Sequence, residues 1–330
     1  MKRTLLSIFA MAAMSASALA ADVKPAIIYD LGGKFDKSFN ESAYNGAEKF
    51  KADTGIEYRD FEIQNDAQRE QALRKFAKDG NNPIVMAGFS WAAALEKVAA
   101  EYPDTNFAII DMVVDLPNVR SVVYKEQEGS YLVGVMAAQA SKSGTVSFVG
   151  GRDIPLIRKF ACGYVGGVKA ANPDATVLEA MTGTTPDAWN DPVKGGEIAK
   201  SQIAQGSDVV YAAAGGTGIG VLQAAKDEGK LSIGVDSNQN GLQPGSVLTS
   251  MLKRVDVAVF NAFNDAKEDK FTYGFNVLGL AENGVDYAMD DNNAPLVTDE
   301  MRAAVEQAKA DIIAGKIVVH DYMSDESCPY

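Results

Sequence analysis

Short apolar runs alternate with longer amphipathic stretches along most of the chain. Residues 26–30 predict a buried strand, followed by a Gly-rich loop and a helix over 38–53. A Ser38–Glu41 capping box marks the start of that helix. Strands are predicted over 56–61, 83–88, 107–111 and 119–124. Helices are predicted over 66–78, capped by Asp66, and over 91–101 and 129–140. A second series begins near Thr145. It has strands over 146–149, 176–181, 208–213 and 233–236, and helices over 156–170 and 217–228. A further helix is opened by Asp191-Pro192, an N-cap followed by a first-turn proline. Apolar strands alternating with amphipathic helices predict an α/β protein with parallel sheets covered on both faces. The two series echo each other faintly. The first strand runs into Gly32-Gly33 and the later one into Gly150-Gly151. Each is followed by a helix with a Phe and then a Gly (Phe39 and Gly46; Phe160 and Gly167). Two similar doubly wound lobes fit this echo, and a length of 330 residues agrees with two domains.

The first 20 residues follow a different pattern. Lys2 and Arg3 precede an apolar run over 5–14, and Ala18-Leu19-Ala20 has the small-x-small form of a cleavage site. A signal peptide over 1–20 is therefore expected, with the mature chain starting near Ala21. The run is too short to span a bilayer. No Cys stands at the cleavage site, so the expectation is a freely soluble periplasmic protein that is not a lipoprotein. In an oxidising compartment Cys162 and Cys328 are candidates for a disulfide. Their sequence separation does not decide between a bond and two separate thiols.

Composition narrows the chemistry. The chain has 31 Lys+Arg against 44 Asp+Glu, a formal charge of -13, and lacks basic runs. Nucleic acid is excluded as a partner on this ground, because phosphate binding depends on clustered Lys and Arg. A single His, His320, argues against a multi-His metal site or a Ser-His-Asp triad. The stretch Gly216-Thr217-Gly218-Ile219-Gly220 before a helix has the look of a dinucleotide loop, with Asp236 further on. Its third Gly is out of place: the GxGxxG spacing puts Val221 there. In doubly wound sheets ligands bind beyond the carboxyl ends of the strands. Those positions here hold Asp30 to Asn40, Phe89, Asp111, 150–153, 183–191, 214–218 and 236–239. They are rich in carboxylates, amides, Gly and aromatics, and hold no Cys or His. That mixture suits a neutral hydrogen-bonding ligand with a flat ring. Asp30, Asp36 and Asp111 could be paired acid and base carboxylates. Without a nucleophile or metal cluster they read more simply as acceptors for ligand OH and NH groups.

Several motifs occur in order: Asp30-Leu-Gly-Gly-Lys-Phe-Asp-Lys-Ser-Phe-Asn40, Phe107-Ala-Ile-Ile-Asp111, Glu128-Gly-Ser-Tyr-Leu-Val-Gly134, Phe148-Val-Gly-Gly151, Ala214-Gly-Gly-Thr-Gly218, Ile233-Gly-Val-Asp236 and Leu248-Thr-Ser-Met-Leu-Lys253. Together they resemble the basic membrane protein (BMP) family of ABC-transporter substrate-binding proteins, whose best-studied members are purine nucleoside receptors. The resemblance implies a type I periplasmic-binding fold, two lobes joined by three crossovers, here near Tyr124, Ser250 and Phe275. The N-terminal lobe would span 22–125 plus 251–275, and the C-terminal lobe 126–250 plus 276–330. It implies a non-enzymatic, cofactor-free, monomeric binder of a purine nucleoside, working with an ABC permease in the inner membrane. Phe39 and Trp189 would sandwich the base; relatives commonly carry Phe at the second position, so Trp189 is a departure. Asn40 and Asp111 would read base edges. Asp30 and Asp236 would accept from ribose hydroxyls, and Lys253 would donate to the ribose and fix Asp236. Phe89 and Gly215 would line the pocket. Riboflavin, another heteroaromatic, or a sugar-like ligand on the same fold is the alternative.

Overall fold

A computed structural model describes residues 23–330; the expected signal peptide lies outside these residues. The first series folds as β1 (Ala26–Tyr29), α1 (Phe39–Thr54), β2 (Arg59–Glu62), α2 (Arg69–Lys78), β3 (Ile84–Met86), α3 (Ala92–Glu101), β4 (Phe107–Ile110) and β5 (Val119–Tyr124). The second comprises α4 (Glu126–Ala140), β6 (Thr145–Arg152), α5 (Pro155–Ala171), β7 (Thr176–Gly183), α6 (Pro192–Ala204), β8 (Val209–Ala213), α7 (Thr217–Asp227), β9 (Leu231–Asp236) and β10 (Val247–Lys253). The chain ends with α8 (Val255–Lys267), β11 (Gly274–Leu278), β12 (Val285–Tyr287) and α9 (Asp299–Ile313).

Each lobe is built on one six-stranded sheet. Their orders are β2-β1-β3-β4-β5-β11 and β7-β6-β8-β9-β10-β12, so the faint sequence echo is a repeat of topology. All pairings are parallel except β10 with β12. The strands β1, β3, β4 and β8 are buried at every residue, which is why they read as unbroken apolar runs rather than alternating ones. In both sheets the winding reverses between the first and third strands, at β1/β3 and β6/β8. The crevice opened there faces the other lobe.

Three crossovers join the lobes. The first, from β5 into α4, lies near Tyr124 as expected. The other two fall later than expected. Met251–Lys253, assigned from sequence to the N-terminal lobe, remain in the C-terminal sheet, because β10 keeps pairing with β9 through Leu252↔Asp236. Residues 276–278, assigned to the C-terminal lobe, belong to β11 and pair with β5 through Leu278↔Tyr124.

Three local expectations also change. The carboxylate of Asp36, not the Ser38 hydroxyl, caps α1: it accepts the N–H groups of Ser38, Asn40 and Glu41 at 2.8, 3.0 and 3.1 Å. An acceptor two residues ahead of the N-cap reaches all three amides, which frees Ser38 to bond elsewhere. Asp66 opens a short 3-10 turn before α2 and makes no cap bond there. The helix α4 starts at Glu126 rather than Gly129 and is buried on nearly every side, packed on α5, α9, β10 and β12. Its approach to α5 is close. A Cβ on Gly134 would sit 2.3 Å from the Tyr164 carbonyl oxygen, and one on Gly167 2.0 Å from that of Tyr131. This contact sets α5, whose first turns reach the interlobe gap.

The chain's end is tied back to α5 by a disulfide between Cys162 and Cys328, whose Cα atoms are 5.6 Å apart across a sequence separation of 166. Closing so long a loop restricts the unfolded chain. Cys328→Ser is expected to lower the unfolding free energy by about 2–4 kcal/mol. Urea denaturation of the variant beside wild type, each with and without reductant, checks this; wild type should become reductant-sensitive and the variant should not.

Candidate functional site

The gap between the lobes is a cleft with about 80 Å³ of room for water-sized molecules. Asp30, Phe39, Asn40, Phe89, Asp111, Trp189, Gly215, Asp236 and Lys253 all line it. The N-terminal lobe supplies Asp30 after β1, Phe39 and Asn40 from the first turn of α1, Phe89 after β3 and Asp111 after β4. The C-terminal lobe supplies Trp189, Gly215 after β8, Asp236 at the end of β9 and Lys253 at the end of β10. Asp111 and Asp236 have left-handed backbones, with φ of 70° and 63°. Non-glycine residues hold that conformation at a cost, and it turns each carboxylate off its strand end.

Trp189 ends a short 3-10 turn, Pro186–Trp189. Thr182 and Thr217 both donate to the Ala188 carbonyl, at 3.0 and 2.8 Å, and so anchor the turn to β7 and α7. The indole packs against the end of β6, where a Cβ on Gly151 would come within 2.2 Å of its ring. Phe39 sits in the other lobe, with the Lys253 ammonium 5.3 Å from its ring centre.

Polar partners differ from expectation at four residues. Asn40 spends its amide on the β1–α1 loop: it accepts from the Asp30 N–H at 3.2 Å and donates to the carbonyls of Asp30 and Gly33, both at 3.1 Å. It shapes the cleft wall more than it offers a free edge. Lys253 does not bond Asp236; its Nζ lies 2.7 Å from Asp111 and 3.0 Å from Glu126. Asp236 instead accepts from the Ser38 hydroxyl across the lobes. Asp30 is held by the Arg69 guanidinium at 2.5 Å, which also pairs with Asp66 at 2.7 Å. Two more bonds cross the gap: Ser237 Oγ to the Ser38 carbonyl at 2.9 Å and Gln239 Nε2 to the Lys37 carbonyl at 2.8 Å. The lobes are thus closed on each other.

Sequence reasoning missed Arg69, Glu126 and Lys159, which lie behind the cleft wall, and the apolar floor of Leu156, Ile157 and Phe160 from α5. The floor had a signal: two adjacent apolar residues at a helix start, Leu156 and Ile157, with Phe160 one turn on. The charges had none: Arg69 on α2 and Lys159 on α5 stand beside more exposed charges, and Glu126 lies ahead of the helix expected to start at Gly129. Gly220, read as one end of a dinucleotide-like loop, instead packs against the Pro192 carbonyl where α6 meets α7. His320 lies on the C-terminal segment, bonded to Asp325 and Ser327, and does not line the cleft. Among the described residues no group of three His, Cys, Asp or Glu side chains could hold a metal ion.

The cleft is acidic. Asp30, Asp36, Asp111 and Asp236 face it against Lys253 alone. Burial pushes Asp36 up to about 7 against the pull of its three N–H donors. It pushes Asp111 up to about 6, with Lys253 opposing. Asp236 is raised by burial as well, again opposed by Lys253. Burial would lower Lys253, but Asp111, Glu126 and Asp236 outweigh it and hold the ammonium above its ordinary value. Such a surface accepts hydrogen bonds, and it repels anions.

Known proteins agree with this architecture. The family model for PnrA-like ABC transporter substrate-binding proteins (Bmp) matches residues 25–321. The ABC transporter nucleoside-binding protein BmpA of Lactococcus lactis is 34% identical over 323 residues, covering 90% of this chain and 89% of that one. An ABC transporter solute-binding protein from Aeropyrum pernix K1 superposes with a TM-score of 0.83 at 30% identity, covering 90% of this chain and 94% of its own. This is the type I periplasmic-binding fold. An uncharacterised lipoprotein of Pyrococcus abyssi is 36% identical over 284 residues, covering 81% of this chain and 69% of that one. Relatives from two other Pyrococcus species are also named lipoproteins. These names overturn the expectation of a periplasmic protein without a lipid anchor, which rested on the lack of Cys in a segment outside the described residues. Among the described residues no helix is long and apolar enough to cross a membrane. With the family model spanning nearly all the described residues, the chain belongs to the Bmp family of PnrA-like ABC transporter substrate-binding proteins.

Proposed function

We propose that the protein binds a purine nucleoside between its lobes, without chemical change, and presents it to a membrane permease. The observation that carries this reading is the pairing of Phe39 from one lobe and Trp189 from the other in a single cleft lined by four carboxylates. Stacking on an aromatic contributes roughly 1–3 kcal/mol per base. Ionised carboxylates only accept hydrogen bonds. They suit a ligand rich in donors: a ring NH, an exocyclic amine and ribose hydroxyls. Asp111 as acceptor favours guanosine or inosine. Asp30, held by Arg69, and Asp236, held by Ser38, would accept from the pentose. The excess of carboxylates disfavours a nucleotide phosphate. The nucleoside-binding name of the Lactococcus relative supports the same reading. Ligand touches both lobes only when they are closed, so it draws the population toward the closed form. The permease would dock on that form.

Calorimetric titration with guanosine, inosine, adenosine, uridine, riboflavin and ribose tests the proposal. Guanosine and inosine should bind best, ribose should give no heat, and Asp111→Ala should weaken nucleoside binding by about tenfold or more (about 1.4 kcal/mol). Riboflavin binding ahead of every nucleoside would overturn the purine assignment.

A further inference from the structure

A line of buried charges runs from the cleft into the hinge. Asp111 contacts Lys253 Nζ through both carboxylate oxygens at 2.7 Å. The same ammonium lies 3.0 Å from Glu126 Oε1. Glu126 Oε2 is 2.8 Å from Lys159 Nζ, which also donates to the Tyr124 carbonyl at 2.7 Å. The four side chains are 6, 2, 1 and 7% exposed. Asp111 and Lys253 line the cleft; Glu126 and Lys159 do not. Glu126 begins α4 at the first crossover, and Lys253 ends β10 at the second. The line therefore ties two hinge segments to one wall of the site.

We propose that Glu126 and Lys159 are positioning residues that set how much of the Lys253 charge reaches Asp111, and so how well Asp111 accepts a hydrogen bond from the ligand. This rests on the reading of Asp111 as a ligand acceptor.

The physical reason is competition. Asp111 and Glu126 share one ammonium in a place that water does not screen. Lys159 satisfies the far side of Glu126 and leaves more of Lys253 for Asp111. The other groups facing Asp111 are Asp236 on β9 and the Tyr124 phenol on β5. Lys159 also faces the Asp321 carboxylate of the C-terminal segment at 3.9 Å. Lys253 lies 5.3, 5.1 and 5.6 Å from the ring centres of Phe39, Tyr124 and Phe160, which seal it from solvent. Burial holds Asp111 at about 6, with Lys253 pulling it down and Glu126 pushing it up. Burial also works to raise Glu126, but Lys253 and Lys159 outweigh it and leave that carboxyl below its ordinary value.

The experiment is guanosine titration calorimetry from about pH 5 to 8 on wild type, Glu126→Gln, Lys159→Met and Asp111→Asn. An ionised Asp111 is the acceptor, so wild-type affinity should fall as pH drops through about 6, by up to about tenfold per pH unit. Glu126→Gln removes the competing charge and should move that midpoint down by about one unit. Lys159→Met leaves Glu126 drawing on Lys253 alone and should move it up. A purely packing role would weaken binding in both variants and leave the midpoint in place. Midpoints that stay at the wild-type value in the folded variants overturn the proposal. If one variant does not fold by circular dichroism, the other decides alone, because each shift has its own sign. Asp36 titrates in the same cleft, and Asp111→Asn isolates its share. Wild-type affinity in Asp111→Asn at every pH would instead sink the acceptor reading itself. Weakened, pH-independent binding in Asp111→Asn beside unmoved midpoints in the other two would overturn only the role of Glu126 and Lys159.

Discussion

Lys253→Met is expected to lower the unfolding free energy by about 3–5 kcal/mol at pH 8 and to abolish measurable nucleoside binding. Lys253 is 2% exposed and faces Asp111, Glu126 and, at longer range, Asp236. Met preserves the length of the side chain and removes its charge. Glu126 keeps Lys159, but Asp111 is left as a buried carboxylate with no cation beside it. The pH dependence follows from Asp111. Its folded-state value, about 6, lies above the ordinary carboxylate value of 3.8. The folded protein therefore holds that proton more tightly than the unfolded chain, and the contribution of this group to stability falls as pH rises between the two values. Without Lys253 the ionised form is costlier still. The gap between wild type and variant should narrow on going from pH 8 to about 5.5, as Asp111 takes up its proton. Urea denaturation at both pH values reads this out. Equal midpoints for the two proteins at pH 8 would show that the cluster is less dependent on Lys253 than its burial implies.

Trp189→Ala should weaken nucleoside binding by roughly tenfold to a hundredfold, the range set by about 1–3 kcal/mol of base stacking. Trp189→Phe should stay within a few-fold of wild type, since a Phe ring still faces the cleft from the same anchored turn. The loss in the Ala variant belongs to binding more than to folding. Thr182 and Thr217 hold the turn through the Ala188 backbone rather than through a hydrogen bond to the indole. Thermal midpoints measured beside the titrations separate the two effects. Binding by Trp189→Ala within twofold of wild type would remove the stacking platform from the C-terminal lobe.

Closure of the lobes depends on few atoms. The loop bearing Lys37 and Ser38 meets the segment Asp236–Gln239 through two side-chain-to-backbone bonds and through the Ser38 hydroxyl on Asp236, a carboxylate of the cleft lining. The same short stretch of α1 that presents Phe39 to the ligand also latches the lobes. Ligand contact and closure are in this way coupled mechanically at one helix start, which Asp36 holds rigid with three amide bonds.

Much of this architecture follows from local pattern. Unbroken apolar runs such as 26–29 and 107–110 make strands that must be covered on both faces, and the amphipathic stretches between them supply the cover. The residues after those strands are forced to the carboxyl edge of each sheet, so Asp30, Phe89 and Asp111 could be placed at the edge of one sheet and Gly215 and Asp236 at that of the other without a structure. Asp191-Pro192 opens α6 as its chemistry requires, with Asp191 accepting the Lys194 N–H at 3.0 Å. Local pattern also misled. The Ser38–Glu41 capping signal gave way to Asp36, because a buried hydroxyl in reach of Asp236 does more across the lobes than at its own helix end.

The sequence by itself determined β1 to β9, most of the helices up to α7, the two-lobe repeat and the residues at the strand ends, because apolar periodicity and strand polarity act over a few residues; Phe39, Trp189 and Lys253 were named as site residues only by the family resemblance, and β10 to β12 and the α5 floor of the cleft were not read. Only the tertiary structure decided which polar groups pair: Arg69 with Asp30, Ser38 with Asp236, and Lys253 with Asp111 and Glu126 rather than with Asp236. Partners 39, 198 and 142 residues apart meet through the packing of whole elements. The strength of a charge pair depends on how far that packing excludes water, a quantity that no single stretch of chain carries.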